Sequence, residues 1–339
     1  MIRLRVGYLI TGIITGLLLV FSFLGTIPDG KLHIVFCDVG QGDGIYIRFP
    51  DGRDMVIDGG PTGTKFMSCL SRHMPFWDRA LDMALLTHPQ KDHMEGLLET
   101  LRRYQVRYLL RSDVANATEG YTALQNLRKE KNVTEKFMTS GETVDVGTAH
   151  LTILWPSTSQ ITMMKPPATS RLPASLHQGG LESGESVLGA SASEANVNDA
   201  SIVFSLSYGV FDAVFMGDAD SHIQPALGTS LQGTGQKDIA RDGVLDLFKV
   251  PHHGSRTGMT DAFLQKISFT RLVLVKQESS LMEKAPLAVI SVGKNSYGHP
   301  DAGIVKKLGL EGFDVLRTDQ SGDIEVISDG AGWEVKTGR

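Results

Sequence analysis

The sequence is poor in the residues that define several common classes of protein. Only two of its 339 residues are cysteines, Cys37 and Cys69. They form no Cys-x-x-Cys pair, which argues against a thiolate metal site, a dithiol redox centre and a disulfide-rich scaffold. Basic residues are not in excess, since 33 Lys and Arg stand against 38 Asp and Glu, giving a net charge of −5. A protein built mainly to grip nucleic-acid phosphates is usually basic, so any such contact here must be local.

Both cysteines lie in apolar surroundings. Cys37 ends the strand-like run Val35-Phe36-Cys37, and Cys69 lies within a helical pattern. We expect both to act as small buried hydrophobic side chains. A disulfide between them stays open as an alternative, because an oxidising compartment would permit one.

Long apolar runs are also scarce, and one stands out at the start of the chain. The stretch from Val6 to Ile27 carries no charge and follows Arg3 and Arg5. A helix needs about 20 apolar residues to cross a bilayer, so residues 1–28 are predicted to form one membrane anchor. A cleaved signal peptide is the alternative, but the apolar core is long and lacks a small-x-small exit. The positive-inside rule predicts a single-pass cell-membrane protein with a cytoplasmic N-terminus and an extracytoplasmic main domain.

Residues 29–339 are predicted to form one α/β domain, because strand-like runs alternate with helical patterns over most of their length. Two stretches differ in composition, at about 157–197 and 228–242. The first is rich in Ser, Gly, Ala and Pro, and neither shows clear periodicity. We expect both to be flexible insertions.

The chemically richest segment runs from Thr87 to His93, between an apolar strand-like run and a helical pattern. Met94, Leu97, Leu98 and Leu101 recur at helical spacing, so a strand passes into a helix at this point. His88, Asp92 and His93 therefore stand where imidazole and carboxylate groups can converge on a cation. The alternative is a polar turn that only caps the helix.

Other strand-like runs also end in polar residues of the kinds that bind metals or anions. These residues are Asp38, Asp43, Asp58, Asn198, Asp199, Asp218, His252, His253, Ser255, Asn295 and His299. One such ending is common, but several in one chain predict a shared active-site edge.

The motifs, in this order, resemble the metallo-β-lactamase superfamily. DVGQGD, NDASIVFSL, MGDAD, VPHHGS and SVGKNSYGHP resemble the C-terminal hydrolase domain of the ComEC competence-protein family, over most of the chain after about Lys31. The resemblance implies a four-layer αββα metallo-β-lactamase sandwich, here preceded by one N-terminal transmembrane helix. It also implies a stand-alone, anchored form of the hydrolase without the DNA channel.

The resemblance further implies a site for one or two divalent ions, Zn²⁺ or Mn²⁺. The implied ligands are His88, Asp92, His93, Asp218 and one of the pair His252 and His253, with His252 taken as the ligand. The implied catalytic residues are Asp92, His253 and His299. Eight more residues are expected to support the ligands or meet the substrate: Asp38, Asp43, Asp58, Gln90, Asn198, Asp199, Ser255 and Asn295. For Ser255 and Asn295, a role in capping their own loops is an equal alternative. Gln90 departs from the family pattern of His or Asp. An amide is a weak Zn²⁺ ligand, so one ion is expected to bind firmly and the second weakly or not at all.

The expected function is that of a metal-dependent phosphodiesterase or nuclease, acting on single-stranded DNA outside the membrane with a metal-activated water. A separate DNA channel protein is the expected partner. Lys249, Arg256 and Lys294 are expected to form a local basic rim. Two alternatives stay open: a metallohydrolase of another small-molecule substrate, because a fold alone does not fix a substrate, and a metal-poor binding module.

Overall fold

The structure is a computed structural model, which describes residues 6–24, 27–75, 77–164, 197–227, 245–267 and 284–339. Most of the two expected insertions, at 157–197 and 228–242, lies outside these ranges. The described start of the first is helical over Thr158–Met164.

Two β-sheets form the centre of the domain. The first has eight strands in the order β15-β14-β1-β2-β3-β4-β5-β6. Their bounds are β1 Leu32–Phe36, β2 Gly44–Arg48, β3 Asp54–Asp58, β4 Ala80–Leu86, β5 Gln105–Arg111, β6 Thr134–Phe137, β14 Ile324–Ser328 and β15 Trp333–Thr337.

The second sheet has seven strands in the order β13-β12-β11-β10-β9-β8-β7. Their bounds are β7 Thr143–Val146, β8 Ala149–Trp155, β9 Val203–Tyr208, β10 Phe211–Phe215, β11 Leu247–Lys249, β12 Leu287–Ile290 and β13 Asp314–Arg317. The helices with full bounds are α1 Val6–Leu24, α2 Gly63–His73, α3 Lys91–Arg103, α4 Glu119–Glu130, α5 Thr158–Met164, α6 Ala302–Leu310 and α7 Thr318–Ser321.

Three buried apolar clusters separate the layers. One lies between the sheets, where Phe204 stacks on Phe215 with ring centroids 4.6 Å apart. A second joins the first sheet to α2, α3 and α4, through residues such as Phe66 and Leu97. A third covers the outer face of the second sheet and includes Leu308 of α6. Helices therefore cover both outer faces of a two-sheet α/β sandwich, as the resemblance implied.

The strand directions bring the polar endings together. Strands β3 to β6 are parallel in the first sheet, and β10 to β13 are parallel in the second. The carboxyl ends of parallel strands meet at one edge of a sheet. Asp58, His88, Asp218 and His253 all lie at or just after such ends.

The expectation that both cysteines act only as small buried hydrophobic side chains is wrong, and the disulfide left open as the alternative is present. Cys37 and Cys69 form a disulfide with their Cα atoms 5.8 Å apart, and both are buried. The bond joins the residue after β1 to the middle of α2. The sequence could not decide this, because the pairing depends on how α2 packs against the first sheet.

The apolar N-terminal run forms α1, and large side chains from Tyr8 to Val20 are exposed along it. In the parts of the chain that the structure describes, no helix combines the length and hydropathy that a membrane span requires. The expected transmembrane anchor is therefore not shown.

Candidate metal centre

Four side chains from three parts of the fold converge at the shared edge. Asp92 and His93 lie in the first turn of α3, Asp218 follows β10, and His253 follows β11. His93 Nε2 is 3.2 Å and His253 Nε2 is 3.3 Å from Asp218 Oδ2, and His253 Nε2 is 3.5 Å from Asp92 Oδ2. The four ligand atoms lie within 4.8 Å of one another, which suits a single cation.

The residues present fit a divalent cation. His93 Nε2, His253 Nε2 and Asp218 Oδ1 are buried and make no hydrogen bond to any described residue. Such atoms are rare in folded proteins, because burying an unpaired polar group is unfavourable. Two neutral imidazole nitrogens and two carboxylates form a donor set typical of Zn²⁺ and Mn²⁺ sites.

Both imidazoles are oriented from their far side. His93 Nδ1 lies 2.7 Å from Asp58 Oδ2, and His253 Nδ1 donates to the carbonyl oxygen of Ser291 at 2.9 Å. Asp58 is itself fixed, since it accepts hydrogen bonds from the backbone N–H and hydroxyl of Thr87. These contacts place the proton of each ring on Nδ1 and leave Nε2 as the ligand atom.

The electrostatics of the cluster favour positive charge at its centre. Burial disfavours the imidazolium of His253, but Asp218 more than offsets this and raises its pKa to about 10. The pKa of His93 is raised as well, where burial opposes the charges of Asp218 and Asp58. Burial acts to raise the pKa of Asp92, but the contact with His253 and the charge of His93 lower it. The carboxylates that attract protons onto these rings would equally attract a metal cation.

His88 lies beside this group but is committed to other partners. Its Nε2 is 3.0 Å from Gln90 Oε1, and its Nδ1 is 3.2 Å from the hydroxyl of Ser201. Burial, followed by the charge of His93, lowers the pKa of His88 to about 4, so the ring is neutral at pH 7. A neutral ring that donates from Nε2 to Gln90 has no lone pair left there for a metal.

The two adjacent histidines after β11 point in different directions. His252 and His253 have φ of 47° and 53°, in the left-handed region that non-glycine residues rarely adopt. His253 enters the four-residue group, whereas His252 Nε2 is 4.0 Å from Asp218 and its Nδ1 is 3.2 Å from Asp220. The sequence assigned the ligand role to His252 and the catalytic role to His253. The geometry favours the reverse assignment.

Lys249 does not belong to a basic rim, contrary to expectation. Its side chain is only 1% exposed, and its ammonium contacts Asp43 and donates to the carbonyl oxygen of Gly217 at 3.0 Å. It also lies 4.0 Å from Asp218 Oδ1. The only feature of the sequence that indicated burial of Lys249 was its place between the apolar residues Phe248 and Val250. Arg256 and Lys294 are exposed, as a rim requires.

Several other expected site residues have structural partners outside the cluster. Asp38 pairs with Arg339 at 3.0 Å, and Asp199 pairs with His222 at 2.6 Å, beside the buried Asn198. The Ser255 hydroxyl contacts Thr257 at 3.2 Å. The Asn295 side chain bonds to the backbone of its own loop. Ser201 was missed, because a serine directly before an apolar run carries no signal of a contact with His88.

A glycine contact sets the position of α3. An ideal Cβ on Gly96 would lie 1.8 Å from the carbonyl oxygen of Gly59, just after β3. Gly59 N–H donates to the carbonyl oxygen of His93, and Gly96 N–H donates to that of Gly60. The first turn of α3, with Asp92 and His93, is thereby fixed against the end of β3.

No protein-family model matches the chain. Among curated proteins, ComE operon protein 3 of Bacillus subtilis (strain 168) is 22% identical over 332 residues, which cover 92% of this chain and 34% of that protein. The chain thus spans about a third of the length of the curated relative that it matches.

Solved structures with similar folds share little sequence with the chain. The metallo-β-lactamase-fold protein YhfI of Bacillus subtilis is 12% identical with a TM-score of 0.47, covering 87% of this chain and 99% of that one. Zn²⁺-bound PqqB of Methylobacterium extorquens is 12% identical with a TM-score of 0.44, and the match covers 84% of this chain and 97% of that one. A diphosphatase of the PhnP family is 13% identical with a TM-score of 0.43, and the match covers 87% of this chain and 98% of that one. The two-sheet sandwich and the motifs at its strand ends thus make this chain similar to the metallo-β-lactamase-fold proteins, with ComE operon protein 3 as its curated relative.

Proposed function

We infer that the chain is a metal-dependent phosphodiesterase that cleaves single-stranded DNA. The observation that carries this inference is the group formed by Asp92, His93, Asp218 and His253, with two buried Nε2 atoms free to bind a cation. The resemblance of the motifs to the ComEC competence-protein family supports a DNA-related substrate, and ComE operon protein 3 is a 22% identical relative.

These four residues would hold one Zn²⁺ or Mn²⁺ ion. A bound divalent ion supplies a nucleophile at neutral pH, because it lowers the pKa of water, and it polarises the phosphoryl oxygen. Asp92, whose side chain is 34% exposed, would accept the proton of the attacking water at its carboxylate. His252 and His299, with ring centroids 5.5 Å apart outside the four-residue group, would donate a proton to the leaving oxygen.

Cleavage of DNA by the purified full chain tests this function. We expect a labelled single-stranded oligonucleotide to be cut in the presence of Mn²⁺ or Zn²⁺ and to stay intact after chelation. A double-stranded oligonucleotide and a β-lactam serve as comparison substrates. Intact DNA with every metal, in a protein that binds metal and is folded, would contradict the nuclease function. A folded protein that binds no metal would favour the binding-module alternative.

The pairing of His88 with Gln90 predicts the metal content. We expect about one equivalent per chain, because Gln90 occupies the His88 nitrogen that a second ion would need. Gln90→His should raise the content toward two equivalents by replacing a weak ligand with an imidazole. Metal analysis after loading measures both, with Gln105→His, at an exposed position, as the control. Two equivalents in the unaltered protein would contradict the one-ion site.

The disulfide supports a location outside the cytoplasm, because such bonds persist in oxidising compartments. Membrane attachment through α1, a cytoplasmic N-terminus and a separate DNA channel partner stay predictions. Thiol labelling of the chain in its native cells tests the location, and free Cys37 and Cys69 thiols would contradict it.

A further inference from the structure

A row of aromatic rings leads from the candidate metal centre to the protein surface. The His253 ring centroid is 6.2 Å from that of His252, His252 is 5.5 Å from His299, and His299 is 5.8 Å from Tyr297. Exposure increases along the row, from the buried His253 to Tyr297, which is 74% exposed. The outermost ring is therefore exposed to solvent at the far end of a row that begins at the metal centre.

The loop that carries Tyr297 is held in one conformation by Asn295. The Asn295 Nδ2 donates to the carbonyl oxygens of Gly293 and His299, both at 2.8 Å. Its Oδ1 accepts from the backbone N–H of Tyr297 at 3.0 Å and of His299 at 3.1 Å. All four hydrogen-bonding positions of the amide are thus used within the loop. Asn295 builds the loop, and it has no group left to meet a substrate.

Packing against a neighbouring turn also holds the Tyr297 loop in place. An ideal Cβ on Gly293 would lie 2.4 Å from the backbone of Gly40, so the loop rests directly on the turn between β1 and β2. A ring presented by a fixed loop loses little conformational freedom when it binds a ligand. An exposed tyrosine by itself is ordinary. Tyr297 is anchored in this way at the end of a row that begins at the metal centre. Its ring is therefore placed to bind a ligand.

Positive charge flanks the same surface. Lys294 is exposed on the Tyr297 loop, and Arg256 is exposed on the neighbouring loop, where it contacts Asp301 at 3.2 Å. Because Asp301 balances the charge of Arg256, Lys294 is the cation that the Tyr297 loop offers to a backbone phosphate. Aromatic side chains that stack on bases, together with cations along the backbone, are the usual means of binding single-stranded nucleic acid.

We propose that Tyr297 is a stacking platform for a nucleobase next to the phosphodiester at the metal centre. The proposal rests on the proposed function and deepens it, because it makes the substrate a base-bearing single strand. Stacking does not depend on base identity, so the platform selects for the presence of a base and not for a sequence.

Binding of oligonucleotides to the metal-loaded full chain tests the platform separately from cleavage. The probes are short phosphorothioate oligonucleotides, which slow hydrolysis, with 2-aminopurine or an abasic site at one position. We expect Tyr297→Ala to weaken binding of the base-bearing strand about tenfold, and Tyr297→Phe to bind like the unaltered protein. The abasic strand should bind the unaltered protein about tenfold more weakly, and Tyr297→Ala should no longer distinguish the two strands. Tyr8→Ala, at another exposed tyrosine, is the matched control.

Equal binding of abasic and base-bearing strands by the unaltered protein would overturn the platform, even if the protein cleaves DNA. An equal loss in Tyr297→Phe and Tyr297→Ala would also overturn it, because the hydroxyl and not the ring would then be responsible. Base discrimination that depends on the Tyr297 ring, in a protein that cleaves no DNA, would support the platform and contradict the hydrolytic function.

Discussion

Asp218→Asn is expected to reduce phosphodiester cleavage and metal affinity by at least about 100-fold each. The substitution keeps the shape of the side chain but replaces a carboxylate that both His93 and His253 face within 3.3 Å. Loss of a group that only supports a metal ligand reduces affinity or activity about 10- to 100-fold, so the loss of a ligand should have a greater effect. Metal titration and initial cleavage rates measure the two effects.

Two controls accompany Asp218→Asn. Asp145→Asn changes an exposed carboxylate in β7 and should leave both quantities unchanged. Thermal unfolding shows whether the Asp218 variant is folded. A folded variant that keeps the metal content and rate of the unaltered protein would rule out Asp218 as a ligand.

Gly96→Ala is expected to destabilise the fold by about 2–4 kcal/mol, which is large for the addition of one methyl group. The new Cβ would lie 1.8 Å from the carbonyl oxygen of Gly59, and two backbone hydrogen bonds hold the segments together. Carbon atoms in contact lie about 3.5–4 Å apart, so α3 must move away from β3. Because Asp92 and His93 lie in the first turn of α3, metal affinity should fall with stability.

Urea unfolding compares Gly96→Ala with Gly309→Ala, a substitution near the end of α6. An ideal Cβ on Gly309 meets nothing within 4 Å, so this control should be neutral or stabilising by up to about 1 kcal/mol. A Gly96→Ala variant that unfolds at the urea concentration of the unaltered protein would show that α3 is not fixed by this contact.

The sequence predicted those features of the fold that depend on local patterns. Apolar periodicity predicted a helix after His93, and the structure begins α3 slightly earlier, at Lys91. Strand-like runs that end in Asp58, Asp218 and His253 predicted one polar edge, because parallel strands align their carboxyl ends. The resemblance to a known superfamily supplied the two-sheet arrangement, which periodicity alone does not determine.

Features that depend on distant contacts or on unusual backbone angles could not be predicted. His252 and His253 are neighbours of the same type, and only their left-handed backbone decides which one faces Asp218. Lys249 contacts Asp43, which lies far away in the chain, so this ion pair could not be predicted from the sequence. For Asn295 the sequence left a substrate contact and loop capping open, because its four hydrogen bonds within the loop appear only in three dimensions.

The disulfide has a practical consequence for preparing the protein. Cys37 lies directly before the loop that carries Asp43, and Asp43 holds Lys249 close to Asp218. A cross-link between cysteines 32 residues apart contributes about 3–4 kcal/mol of stability in the chain-entropy description. Chain produced in the reducing cytoplasm of an expression host would lack this cross-link, whereas exported or oxidatively refolded chain would have it. Samples from the two routes should therefore differ in stability and in the order of the loop beneath the metal centre.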